Sequence, residues 1–256
     1  MNPWVIQLSK RGPEAVDLMR RNFLAEVIRE CGPPEAPSDE APAPDALGAG
    51  ERALLCIAAI SLGDEVMGIY RKAGLSPTQG KAAMENLVAK GLIRVHRLPR
   101  AGRGAPWKTI EVLPAADVEL AKAGLKRKEP PLKGSWLHSL YGYYVGRWAE
   151  GQGFKSVQFE KTYGPKTFDL AWQNAGGEIE TVEICLTGAP QRTAEQLQTS
   201  ASNKGIARIF AFVENRKSLD QTREALIQQD RDGICRDRMD FRLIGEVIET
   251  VLGKAR

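Results

Sequence analysis

Residues Thr167–Thr187 read TFDLAWQNAGGEIETVEICLT, and the parity of this stretch decides the fold. Phe168, Leu170 and Trp172 alternate with Thr167, Asp169 and Ala171. After Asn174-Ala175-Gly176-Gly177, Val182, Ile184 and Leu186 alternate with Thr181, Glu183, Cys185 and Thr187. A period of two is that of half-buried strands, and the glycine pair supplies the positive φ that a tight turn needs. Opposed residues of an antiparallel pair share a face, so the two apolar sets must coincide. A hairpin centred on Gly176 achieves this and sets Asp169 opposite Glu183, with Cys185 and Thr187 continuing the polar face. Opposed like charges are mildly destabilising without a cation or base between them.

At 256 residues, 43% hydrophobic and 27% charged, the chain has the makeup of one large globular domain or two smaller ones. A net charge of +4 is too small to name a partner, so the basic clusters must do so. No apolar run reaches membrane-spanning length, and MNPWVIQLSKRG lacks a secretory pattern. Cys31, Cys56, Cys185 and Cys235 form no CxxC pair, so neither a zinc site nor a disulfide framework is indicated. A reducing cytoplasm is the expected setting, with no membrane partner.

Five segments follow from composition and period. Residues 1–31 contain one amphipathic helix, with Val16, Met19, Phe23, Val27 and Ile28 at helical spacing, suited to docking on the chain or on a protein partner. Residues 32–50, rich in Pro, Ala and acidic groups, have linker composition. Residues 51–118 read helix, helix, helix, strand, strand. The third helix starts at an N-cap Ser76 with Pro77 at its first position, and Gly91 ends it. Residues 119–133 form a basic, proline-containing connector. Residues 134–256 open with the aromatic-rich helix SWLHSLYGYYVGRWAEGQGF; strand SVQFEKTY, the hairpin above, a helix, the apolar strand ARIFAFVEN, a second helix and a final strand or helix follow.

The 51–118 pattern, with Lys90-Gly91-Leu92-Ile93 running into an arginine-bearing loop, resembles a winged helix-turn-helix. In such folds the third helix enters the major groove and the wing lies along phosphates. The resemblance implies DNA contacts by Thr78, Gln79 and Lys81 at the helix start. On the wing it implies Arg97, Arg100, Arg103 and Lys108, with Arg94 nearby. The α-β-β-β-α-β order of 134–256 resembles the restriction-endonuclease-like, or PD-(D/E)xK, superfamily. The fold expected is therefore α/β, with a winged helix-turn-helix before a restriction-endonuclease-like αβββαβ domain.

That resemblance implies Mg²⁺ (or Mn²⁺), if the site is catalytic, held by Asp169, Glu183 and the Ile184 carbonyl. Hard cations take carboxylate oxygens, activate water and offset charge on phosphate. The motif lysine is replaced by Cys185, which carries no permanent positive charge. Lys166, three residues before Asp169, falls on the opposite face by parity unless a bulge intervenes. Lys161, Arg192, Gln196 and Gln198 are the better-placed accessory candidates. Glu150 or His138 could add a ligand, although a histidine near a helix start is more often a capping or packing group.

The run from the N-terminal PWVIQLSK phrase, through the winged helix, to the VEICLTG strand also resembles the C-terminal region of some HerA/FtsK-like DNA-translocating ATPases, where a winged helix and a lysine-less nuclease-like domain follow the motor. No GxxxxGK[ST] loop is present, so this chain holds no motor, though such an ATPase is a candidate partner for the N-terminal helix. The expected function is a DNA-binding protein with a nuclease-like domain, a candidate Mg-dependent endonuclease. The alternatives are an inactive DNA- or partner-binding module and a winged-helix transcription regulator. A homodimer is left open.

Overall fold

The computed structural model describes residues 46–102, 104–186, 189–230, 233 and 236–253. The expected helix in residues 1–31, most of the 32–50 linker, Arg103, Cys31 and Cys235 lie outside the described residues. Among the described residues, no helix is long and apolar enough to cross a membrane.

Three helices, Ala49–Ile60 (α1), Val66–Lys72 (α2) and Pro77–Ala89 (α3), precede an antiparallel hairpin of Ile93–Leu98 (β1) and Trp107–Val112 (β2). Helix α1 buries Leu54, Leu55, Cys56 and Ile57 against Ile69, Tyr70 and Leu87. Leu47, from the end of the expected linker, joins this core. Helix α3 starts in a capping box: Gln79 N donates to Ser76 Oγ, and Ser76 N donates to Gln79 Oε1. Gly80 lets α3 lie flat on Tyr70, since a Cβ there would stand 2.4 Å from the ring. A short helix, Asp117–Lys122 (α4), runs across residue 118 and buries Leu120 in the same core.

The rest is a three-layer α/β arrangement. Helix α5 (Trp136–Gln152) starts at Ser135, whose Oγ accepts from His138 N, and ends at left-handed Gly153. The following strands are Lys155–Tyr163 (β3), Lys166–Gln173 (β4), Ile179–Cys185 (β5), Arg208–Val213 (β6) and Met239–Leu243 (β7). They form one mixed sheet in the order β3-β4-β5-β6-β7, with β3, β4 and β5 antiparallel and β5, β6 and β7 parallel. Helices Pro190–Ala201 (α6) and Arg216–Gln229 (α7) make the parallel crossovers. The last segment supplies both elements left open by the sequence, β7 and then Ile244–Gly253 (α8). Tyr141, Tyr144 and Trp148 of α5 and Ile244, Val247 and Ile248 of α8 pack with Trp172, Phe210 and Phe212. Ala194, Leu197, Ala225 and Leu226 of α6 and α7 pack with Ile209 and Ala211 on the opposite parity.

Strand β4 departs from strict alternation at Asp169. Phe168 lies in the α6–α7 core, whereas Leu170 and Trp172 lie in the α5–α8 core. Simple parity would put all three on one face. Across from Asp169, between the pairs Phe159↔Leu170 and Lys161↔Phe168, Glu160 has a φ of 50°, which marks the neighbouring strand as locally distorted. The β4 side chains before Asp169 therefore change layers.

The first hairpin docks on the second unit. Leu98 is buried with α5 and α8, and His96 stacks on Trp136 at 4.6 Å between ring centres. Arg100 pairs with Glu249 of α8 and covers the Trp107 ring. Gly245 allows the hairpin tip to close on α8, because a Cβ would stand 2.9 Å from Ala101 N.

Candidate functional site

The β4–β5 register runs from Gln173↔Ile179 to Leu170↔Val182, and its next step sets Asp169 across from Glu183, as the spacing predicts. At that step the ladder opens. Instead of a strand carbonyl, Asp169 Oδ2 accepts the Ile184 N–H at 2.7 Å. A residue's N–H and C=O point to the same edge of a strand, so the Ile184 carbonyl also faces this opening.

Glu183 is compensated from an unexpected quarter. Lys166 Nζ lies 2.8 Å from Glu183 Oε1 and also donates to the Gln196 carbonyl at 3.2 Å and to Ser200 Oγ. Ser200 Oγ in turn donates to Glu183 Oε1 at 3.2 Å. The expectation that Lys166 points away is therefore corrected. The change of layers at Asp169 brings Lys166 and Phe168 to the α6 side, where the ammonium sits 5.4 Å from the Phe168 ring centre. Burial raises the Glu183 pKa, and Lys166 and Ser200 oppose that rise. An ammonium in contact with a mostly buried carboxylate is what keeps that charge tolerable.

On the other side, His138 Nε2 stands 3.4 Å from Asp169 Oδ2. The imidazole pKa is raised, chiefly by the Asp169 carboxylate and further by the Lys133 backbone carbonyl and Glu183, against the lowering effect of burial. The His138 backbone N–H donates to the N-cap Ser135 Oγ, a role that does not involve its imidazole. Cys185 does occupy the position after Ile184, but burial and the Glu183 and Asp169 charges push its thiol up to about 12. It is a neutral group at ordinary pH and cannot replace an ammonium.

Of the accessory candidates, Lys161 stands across from Phe168 on β3, and Arg192 is exposed on the first turn of α6. Gln196 contributes its backbone carbonyl to Lys166, while the Gln198 amide turns to the Gln229 carbonyl of α7. Glu150, at the far end of α5, pairs with Arg147. The residues missed as candidates are Lys166 and Ser200. Lys166 was set aside on parity, and no feature of the sequence marks the strand break at Asp169 that overturns that placement.

On the first hairpin, Arg97 and Lys108 are directly opposed and both exposed. Arg94 is paired with Glu111 at 3.3 Å. Arg100, expected to lie along phosphates, is exposed and pairs with Glu249 at 3.2 Å and the Ala105 carbonyl at 3.3 Å. Thr78 and Lys81 are exposed on α3, with Lys81 3.8 Å from Glu85, and the Gln79 side chain is used in the capping box.

The donor set suits a hard dication. Among the described residues no three His, Cys, Asp or Glu side chains form a ready metal cage. Mg²⁺ is commonly held by one or two carboxylates and completed by water and substrate phosphate. Asp169 and Glu183 each have only one oxygen in the hydrogen bonds described above. No family model matches the chain, and no curated protein matches it.

Proposed function

We propose that the chain is a DNA-binding protein whose C-terminal unit is a restriction-endonuclease-like phosphodiesterase, with Asp169, Glu183 and Lys166 as its working trio. The observation that carries this reading is the 2.8 Å pair between Lys166 and Glu183 beside Asp169. It assembles in space the two acids and one lysine that the sequence motif lacks in line. The helix-strand-strand-strand-helix-strand order from 136 to 213 supports the same fold. The three helices and hairpin before it support a winged helix.

Asp169, Glu183 and the Ile184 carbonyl would hold Mg²⁺ or Mn²⁺, which lowers the pKa of bound water and offsets phosphate charge when present. Lys166 places a fixed positive charge at Glu183, oriented by Ser200 and the Gln196 carbonyl. It is thereby positioned to steady the water and the anionic phosphate. Cys185 remains a neutral thiol and takes no proton. Arg97 and Lys108 provide a phosphate-binding edge on the hairpin, since opposed like charges gain from an anion between them.

A second reading, a nuclease-like module without catalysis, draws on the internal pairing of both acids. Lys166 and His138 can balance the two carboxylates in the absence of a cation. Incubating supercoiled, linear and branched DNA with Mg²⁺ or Mn²⁺ separates the readings. Wild type is expected to cleave, and Asp169→Ala and Glu183→Ala to bind DNA without cleaving it. DNA binding by wild type without cleavage of any substrate establishes the second reading instead.

A further inference from the structure

Residues 126–133, KRKEPPLK, hold four basic residues and one acidic residue, and their backbone is pinned to both units. The Lys128 N–H donates to the Ala59 carbonyl in α1 at 2.7 Å. Leu132 exchanges two hydrogen bonds with the Ser139 hydroxyl of α5, at 2.7 and 2.6 Å, and its side chain lies in the space that a Cβ at Gly142 would take. The Lys133 N–H donates to Glu160 Oε1 of β3 at 2.6 Å. The segment is a fixed rail rather than a loose tether.

Its side chains divide by charge. Arg127 turns to Asp117 at 3.1 Å and to Glu129 at 2.9 Å, which neutralise it. Lys126 and Lys128, on either side of it, are exposed, and among the described residues neither ammonium has an ion-pair partner. The Lys133 side chain is 92% exposed, with Glu160 Oε2 3.5 Å away. An exposed pair of this kind is worth little, and a phosphate can displace it.

The rail ends at the candidate site. The Lys133 carbonyl accepts from the imidazole of His138, which stands 3.4 Å from Asp169. Three residues on, Trp136 stacks on His96 and ties β1 to the same stretch.

We propose that Lys126, Lys128 and Lys133 form a phosphate track that leads one strand of bound DNA from the first unit to Asp169 and Glu183. This rests on the reading of the chain as a DNA-binding protein. Ammoniums carried on a pinned backbone need little ordering when the nucleic acid arrives. Their contacts go to phosphates, so the track carries no sequence preference and weakens as salt rises.

The test is binding of a labelled DNA duplex to the full chain, followed by fluorescence anisotropy over a range of salt concentrations with divalent cations chelated. The triple variant Lys126→Gln/Lys128→Gln/Lys133→Gln is expected to bind about tenfold or more weakly, and to lower the slope of log affinity against log salt by about 2–3. The loss should be the same on two unrelated sequences. Lys128 and Lys133 make their anchoring bonds through the main chain, so the variant should keep the wild-type near-ultraviolet circular dichroism. Should it fail to fold, the three single variants are each expected to lower the slope by about 1. Lys204→Gln/Arg216→Gln/Lys217→Gln removes as many exposed charges on the α6–α7 side and is expected to leave the slope unchanged. Wild-type affinity and slope in the connector variants overturn the track, as does an equal loss in the α6–α7 variant. If the wild type itself fails to bind DNA, the DNA-binding reading falls as well.

Discussion

The two hairpins treat charge in opposite ways. Between β4 and β5, two acids are half-buried and each faces a nitrogen base: Lys166 at Glu183 and His138 at Asp169. Between β1 and β2, Arg97 and Lys108 sit opposite each other in solvent. The first arrangement contributes to its own stability because opposite charges meet in a medium that screens them poorly. The second tolerates repulsion because water screens it, and it becomes favourable only when an anion arrives. On the proposed reading, the β4–β5 hairpin serves internal chemistry and the β1–β2 hairpin an external partner.

The largest expected effect lies at Lys166. Replacing it by Met leaves the mostly buried Glu183 carboxylate without its ammonium and should destabilise the fold by about 2–3 kcal/mol at neutral pH in urea unfolding. Adding Glu183→Gln should recover much of that loss. Arg97→Ala and Lys108→Ala should leave the unfolding midpoint unchanged or higher, and weaken DNA binding with a shallower salt dependence. Equal stability losses at the two hairpins would erase the contrast.

A smaller effect sharpens the comparison through pH. The folded His138 pKa is raised above its ordinary value of about 6.5. Its pairing with Asp169 therefore contributes fully below that ordinary value, and the contribution disappears as pH rises through the raised one. In metal-free buffer, thermal unfolding should show His138→Gln more destabilised relative to wild type at pH 5.5 than at pH 9. The Arg97 and Lys108 variants, at exposed positions on the other hairpin, should show no such dependence over this range.

Much of this layout was legible in the sequence, and what was not has a common physical cause. The turn glycines and the Ser76-Pro77 start of α3 are local features, and local chemistry placed them correctly; the Gln79 side of the capping box was not foreseen. The β4–β5 register followed from matching apolar faces. Lys166 was hidden because a switch of layers at Asp169 breaks the alternation on which parity depends, and that switch is set by packing of Phe168 against α6. The intramolecular partners of Arg100 were also beyond the reach of the sequence. Those partners, Glu249 and the Trp107 face, are fixed by how the hairpin docks on α8, a contact spanning most of the chain.

The central claim is that Lys166 stands in space for the lysine that Cys185 displaces in the motif. Cleavage of a DNA substrate in Mn²⁺ by wild type, Lys166→Met and the double variant Lys166→Met/Cys185→Lys tests it most directly, with DNA binding measured alongside. The account predicts cleavage by wild type, loss in the single variant with binding retained, and partial recovery when the lysine returns at position 185. Cleavage by Lys166→Met at the wild-type rate would contradict it.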